Sequence, residues 1–138
     1  MSTKTVAKWT EGMAFDIELQ GHRITVDATA KAGGRDLGPS PKSLLLAGLA
    51  GCTGMDVVAI LRKMGQEWDS FNLQIEAQTS ENHPKVYTDI TINYIFSGKN
   101  LSKDKIEKAV NLSQDKYCAV NAMLKSSASI SYKIIIEE

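Results

Sequence analysis

The run from Leu44 to Leu61, LLLAGLAGCTGMDVVAIL, constrains this chain more than any other segment. It is long and apolar enough to raise the question of a membrane span, for which about eighteen uncharged residues suffice. Asp56, Thr53 and the glycines at 48, 51 and 54 interrupt it, and the rest of the chain alternates in short polar and apolar steps. The expected element is therefore not a span but a long central helix, apolar on every side because it is enclosed on every side. Ser40 and Pro41 supply a helix start, a capping hydroxyl followed by proline at the first helical position. Gly65 supplies its end, after Arg62 and Lys63, whose charges suit the negative end of the helix dipole.

The flanking segments surround that helix with strands. TVAKW, MAFDIEL and HRITVDA, separated by TEG and QG, predict an N-terminal three-stranded meander. Two long strands are expected at about 71–80 and 85–97, joined by ENHP. In the second, Val86, Thr88, Ile90, Ile92, Tyr94 and Phe96 share one face. Ser102 caps a predicted amphipathic helix over 103–116, with Ile106, Ala109, Val110 and Ser113 on one stripe. CAVNAMLK predicts a further short helix, and SISYKIII a closing strand. The order is three strands, helix, two strands, helices, strand. That is an α+β fold in a single domain, 1–138, whose sheets pack around helices.

Sixteen basic and sixteen acidic side chains cancel. Such a balance gives no footprint for nucleic acid or an anionic membrane, and neither is an expected partner. MSTKTVAKWTEGMAF has no secretory pattern, so the expected location is the cytoplasm. Structural disulfides are rare there, which leaves Cys52 and Cys118 as two free thiols or a transient redox couple. On a helical wheel Cys52 shares a side with Leu45, Gly48, Asp56 and Ala59. A carboxylate one turn away opposes a thiolate, so a reactive Cys52 needs a basic neighbour. The helix dipole cannot replace that neighbour, because its effect fades within the first turn. From composition alone, Cys52 also fits a small buried hydrophobe on a crowded helix.

Two stretches point further. GPSPKSLLLAGLAGCTGMDVV and KYCAVNAMLK, whose cysteines lie 66 residues apart, resemble the paired signatures of the OsmC/Ohr superfamily of peroxide-reducing thiol proteins, and the resemblance runs over essentially the whole chain. It implies an intertwined homodimer with the long helices in its core. It also implies a reaction on a small hydroperoxide, often an organic one. Cys52 attacks the peroxide and becomes a sulfenic acid, Cys118 condenses with it to a disulfide, and a dithiol reductant restores both thiols. The two alpha carbons must then approach within about 7 Å. Arg35, in AGGRDLGPSP, corresponds to the arginine that stabilises the family's thiolate.

The departures from the family pattern concern the same site. Lys42 stands where peroxidase members carry a glutamate that pairs with the arginine, and Ala119 replaces a proline that often follows the resolving cysteine. This places the chain with the less characterised OsmC-like branch. Lys42 either substitutes for the arginine–glutamate arrangement or marks a decayed peroxidase site. The alternative function is a non-enzymatic dimeric module that binds a small apolar ligand or senses oxidants around Cys52. No cofactor is expected. His22 and His83, combined with the cysteines, match no standard zinc spacing, so no metal is expected either. Gly33 and Gly34 are expected in a flexible loop without a phosphate-binding pattern.

Overall fold

The computed structural model describes residues 1–137. Its contacts divide the chain into two compact units, Met1–Ala47 and the remainder from Gly48.

The first unit holds a three-stranded antiparallel meander, β1 (Thr5–Glu11), β2 (Ala14–Leu19) and β3 (His22–Val26), in the order β1-β2-β3. Its small core includes Ala14 and Val26. After β3 the chain enters a loop, 27–40, that carries a single 3₁₀ turn, Ala30–Ala32. This loop is pinned rather than flexible. The buried Asp27 carboxylate accepts the backbone N–H groups of Ala28 (2.7 Å), Arg35 (3.1 Å) and Leu37 (3.2 Å), while its own N–H bonds Pro39 O at 3.2 Å. Gly34 is required by close approach, since a Cβ there would collide with the carbonyl oxygen of Ala28. Burial alone would raise the Asp27 pKa. The three N–H donors and the Arg35 charge outweigh it and hold the carboxyl below its usual range.

The long helix α1 spans Ser43–Lys63. It begins later than the Ser40–Pro41 signal, because Ser43 N and Leu44 N bond back to Ser40 O and Pro41 O in tight i→i+3 turns that precede the α-helical ladder. It ends as expected. Gly65 at φ +71° sits in the left-handed region, its N–H reaches Arg62 O, and Gln66 N reaches Leu61 O at 3.0 Å, a Schellman closure.

Within the chain, burial of α1 reaches one stripe only, Leu49, Thr53, Gly54, Val57 and Leu61. Met55, on another side, is 75% exposed. The all-round enclosure expected from the sequence is thus not met by one chain, because a core in a chain this small lies on one side of so long a helix. By length and composition α1 is capable of crossing a membrane, yet its buried stripe carries Thr53, hydrogen-bonded to a strand and to a second helix.

The second sheet has the order β4-β5-β6, from β4 (Ser70–Thr79), β5 (Tyr87–Ser97) and β6 (Ser129–Glu137). β4 and β5 form an antiparallel hairpin, whereas β6 runs parallel to β5. Ile90, Ile92, Tyr94 and Phe96 of β5 are fully buried, as their alternation requires. A bulge opposite Gln78 and Thr79 interrupts the ladder at Thr88, and Val86 lies outside the strand and is exposed.

The parallel pairing needs a crossover, and the helices provide it. α2 covers Lys103–Leu112, capped by Ser102 Oγ accepting Lys105 N, and buries Ile106, Ala109 and Val110. It does not continue as an α-helix to 116. Residues Ser113–Tyr117 widen into a π turn, closed by Cys118 N on Ser113 O at 2.9 Å. Ser113 and Gln114 are consecutive, and both send polar side chains into the core. An α-helical rotation of about 100° per residue would split them. The short helix α3, Ala119–Leu124, follows with Cys118 as its N-cap.

Candidate functional site

The two cysteines meet in the second unit, brought there by different elements. Cys52 lies three turns into α1, and Asp56 one turn further on the same face. Cys118 occupies the joint between the π turn and α3. Cys52 Sγ, Cys118 Sγ and an Asp56 carboxylate oxygen all lie within 4.8 Å of one another. Cys118 is buried, and Cys52 and Asp56 are half-buried, so the cluster opens at the α1 side.

A chain of buried hydrogen bonds fixes this cluster from below. Thr53 Oγ1 sits 2.7 Å from both Tyr94 OH and Ser113 Oγ, Ser113 Oγ donates to Asp56 Oδ2 at 2.9 Å, and Gln114 Nε2 donates to Tyr94 OH at 2.7 Å. Asn121 completes the frame. Its backbone N–H points at Cys118 Sγ (3.4 Å), and its side-chain amide donates to Gln114 O at 2.9 Å. With every member anchored to a neighbour, the network holds Cys118 and Asp56 in one arrangement.

The two thiols differ in environment. Burial pushes the Cys118 thiol up to about 11, against the Asn121 N–H, which favours the thiolate. Its hydrogen bond to Cys52 and the negative charges of Cys52 and Asp56 raise it further. Near neutral pH Cys118 therefore keeps its proton, and it can donate that proton toward Cys52.

Asp56 brings a carboxylate beside both sulfurs. Arg35 belongs to the first unit, where its guanidinium pairs with Glu11 of β1 while its backbone N–H is held by Asp27. The sequence presents Asp56 only as an opposing charge beside Cys52 and does not place it with both sulfurs. Its i+4 spacing from Cys52 was the available signal; the arrival of Cys118 beside it was not visible.

Comparison with known proteins fits this architecture. The family model described as OsmC-like protein matches residues 32–133. The chain belongs to the OsmC-like family. A curated relative, Protein YhfA of Escherichia coli K12, is 34% identical over 131 residues, covering 93% of this chain and 95% of YhfA. Among solved structures, a hypothetical protein from Aquifex aeolicus VF5 is 32% identical with a TM-score of 0.84, covering all of this chain and 99% of its own. The organic hydroperoxide resistance protein OhrB of Bacillus subtilis shares the fold at a TM-score of 0.65 and 18% identity, covering 97% of this chain and 98% of OhrB. Two small sheets and three helices match the OsmC-like fold of these structures, and Cys52 and Cys118 meet in the second unit.

Proposed function

We propose that this OsmC-like protein is a thiol-dependent hydroperoxide reductase, with Cys52 as the peroxidatic and Cys118 as the resolving residue. The observation that carries this reading is the placement of both sulfurs within 4.8 Å. A disulfide requires about 2 Å, so the sulfurs must close further to form it. In the first step the Cys52 thiolate attacks one peroxide oxygen, the O–O bond breaks, and the alkoxide leaves as an alcohol after taking a proton. In the second, Cys118 passes its proton to the sulfenic acid hydroxyl as its sulfur attacks the sulfenic acid sulfur. The S–S bond forms, and the hydroxyl leaves with the thiol proton as water. An external dithiol then reduces the bridge by two-step exchange and is itself oxidised.

The difference in burial supports this division of labour. Cys52 is accessible to an oxidant, whereas Cys118 is enclosed and protonated. Arg35, the cation the family resemblance implies for the Cys52 thiolate, pairs with Glu11 of β1 in its own unit and would have to release that partner to take the role. The functional unit is proposed to be a homodimer. The exposed side of α1 and the adjoining β4 form an apolar groove of about 550 Å³ lined by Gly51, Gly54, Met55, Ala59, Phe71 and Leu73, a surface suited to a second copy.

Mass spectrometry after one equivalent of cumene hydroperoxide tests the chemistry. The wild-type chain is expected to acquire an intramolecular Cys52–Cys118 bridge. Cys118→Ser should stop at a sulfenic acid on Cys52, and Cys52→Ser should remain unoxidised. A wild-type protein that consumes peroxide no faster than the double serine variant would refute the reading.

A further inference from the structure

The same three side chains form a metal-ligand set. Two thiols and one carboxylate have the donor composition of a site for a soft or borderline divalent cation, whereas calcium and magnesium demand oxygen cages. We propose that Cys52 Sγ, Cys118 Sγ and an Asp56 carboxylate oxygen bind a thiophilic divalent cation, zinc, in a three-ligand site with a fourth position open to water. This goes beyond the reductase reading, because binding requires no oxidant and changes no oxidation state.

Three observations support it. The first is distance. Tetrahedral zinc with Zn–S bonds of about 2.3 Å sets its sulfurs roughly 3.8 Å apart, so donor atoms within 4.8 Å need to close by about 1 Å or less. The second is the framework. Cys52 and Asp56 project from one helix face at i and i+4, and the third ligand arrives from the joint after the π turn, whose Cys118 N bonds Ser113 O. The third is the support behind the ligands. Ser113 Oγ donates to Asp56 Oδ2, and Asn121 N points at Cys118 Sγ, the outer hydrogen bonds that orient carboxylate and thiolate ligands.

The charges also balance. A dication offsets most of the negative charge that a carboxylate and two thiolates bring together at this range. Both thiols lose their protons to solvent on binding. Two thiolates, one carboxylate and the dication then leave a single net negative charge. While the metal is bound, both sulfurs are committed to it and shielded from alkylation.

The test is a titration of the reduced full-length protein with cobalt(II), without peroxide, followed by displacement with zinc. One equivalent per chain should produce sulfur-to-cobalt charge transfer and the intense visible bands of a tetrahedral site, and zinc should abolish both. Asp56→Asn should keep the charge transfer and weaken affinity by on the order of tenfold or more, since even outer partners of metal ligands carry effects of that size. Cys118→Ser should lose most of the charge transfer while far-ultraviolet circular dichroism shows a folded chain. If that variant does not fold, cadmium NMR of the unmutated protein decides instead, with a shift for two bound sulfurs expected. Absence of charge transfer at one equivalent, or of any sulfur-bound cadmium, overturns the proposal. Because the titration contains no oxidant, a metal-silent protein that still forms the bridge with peroxide refutes this site alone. A metal-binding protein inert to peroxide refutes only the reductase reading.

Discussion

Thr53 on α1 and Tyr94 on β5, 41 positions apart in the chain, share a fully buried hydrogen bond of 2.7 Å, and Thr53 Oγ1 lies equally close to Ser113 Oγ. A hydroxyl at the centre of an otherwise apolar stripe ties helix, strand and π turn together. Removing one partner leaves the others desolvated and unpaired, at a cost of about 1–3 kcal/mol. Thr53→Val and Tyr94→Phe should each lower the urea midpoint accordingly. The double variant should lose less than the sum of the two, a coupling that a double-mutant cycle reads directly.

Cys118 should react slowly with alkylating reagents near neutral pH. It is enclosed, and burial pushes its thiol up to about 11, with the negative charges of Cys52 and Asp56 adding to the effect. In a Cys52→Ser background, which removes the Cys52 hydrogen bond and charge but keeps the burial, iodoacetamide labelling of Cys118 should still rise only at alkaline pH, short of that value. Asp56→Asn should shift the rise to lower pH by removing one of the raising charges. Labelling of Cys118 that is complete near neutrality and independent of Asp56 would contradict this environment.

Asp27 gives the first unit its acid sensitivity. Its carboxyl is held below the ordinary value of 3.8, so its contribution to stability is present above that pH and is lost as pH falls through the lowered folded value. Thermal unfolding midpoints of the wild-type chain should therefore fall more steeply below that range than those of Asp27→Asn. At neutral pH the order of effects is simpler. Asp27→Asn loses acceptor strength for three backbone N–H groups, and Gly34→Ala forces the loop off Ala28 O, so both should loosen the segment that carries Arg35.

Met55 tests the exposed side of α1. It is 75% exposed within the chain and lines the apolar groove against β4. Met55→Glu should leave the single chain folded, because the side chain contributes little to its core. It should also shift the mass measured by sedimentation equilibrium from dimer to monomer, since a carboxylate in an apolar contact is strongly unfavourable. An unchanged mass would place the contact between copies elsewhere.

Most of the element order was legible because local signals agreed with the fold. Ser102 caps α2, Gly65 closes α1, and the alternation of Ile90, Ile92, Tyr94 and Phe96 marks the buried face of β5. What stayed hidden depends on distant partners. Nothing local in SISYKIII says that β6 pairs parallel to β5, because pairing direction is set by the crossover. The π turn was equally invisible, since Ser113 to Lys116 reads as continued helix until Thr53, Asp56 and Tyr94 are known to wait for Ser113 and Gln114. For the site, the sequence singles out both cysteines, and the structure brings their sulfurs together. Their shared carboxylate became apparent only when α1 and the π turn met.

The widened turn at Ser113–Tyr117 makes the position of Cys118 a matter of counting residues. A π turn holds one residue more than the α-helical turn it replaces. Deleting a single amino acid there would let the same span close as regular helix and would break the pairing of consecutive Ser113 and Gln114 with Thr53, Asp56 and Tyr94. Such a shortened protein would keep both sulfurs and lose part of the frame beneath them, so the length of this segment is as much a part of the cluster as the cysteines themselves.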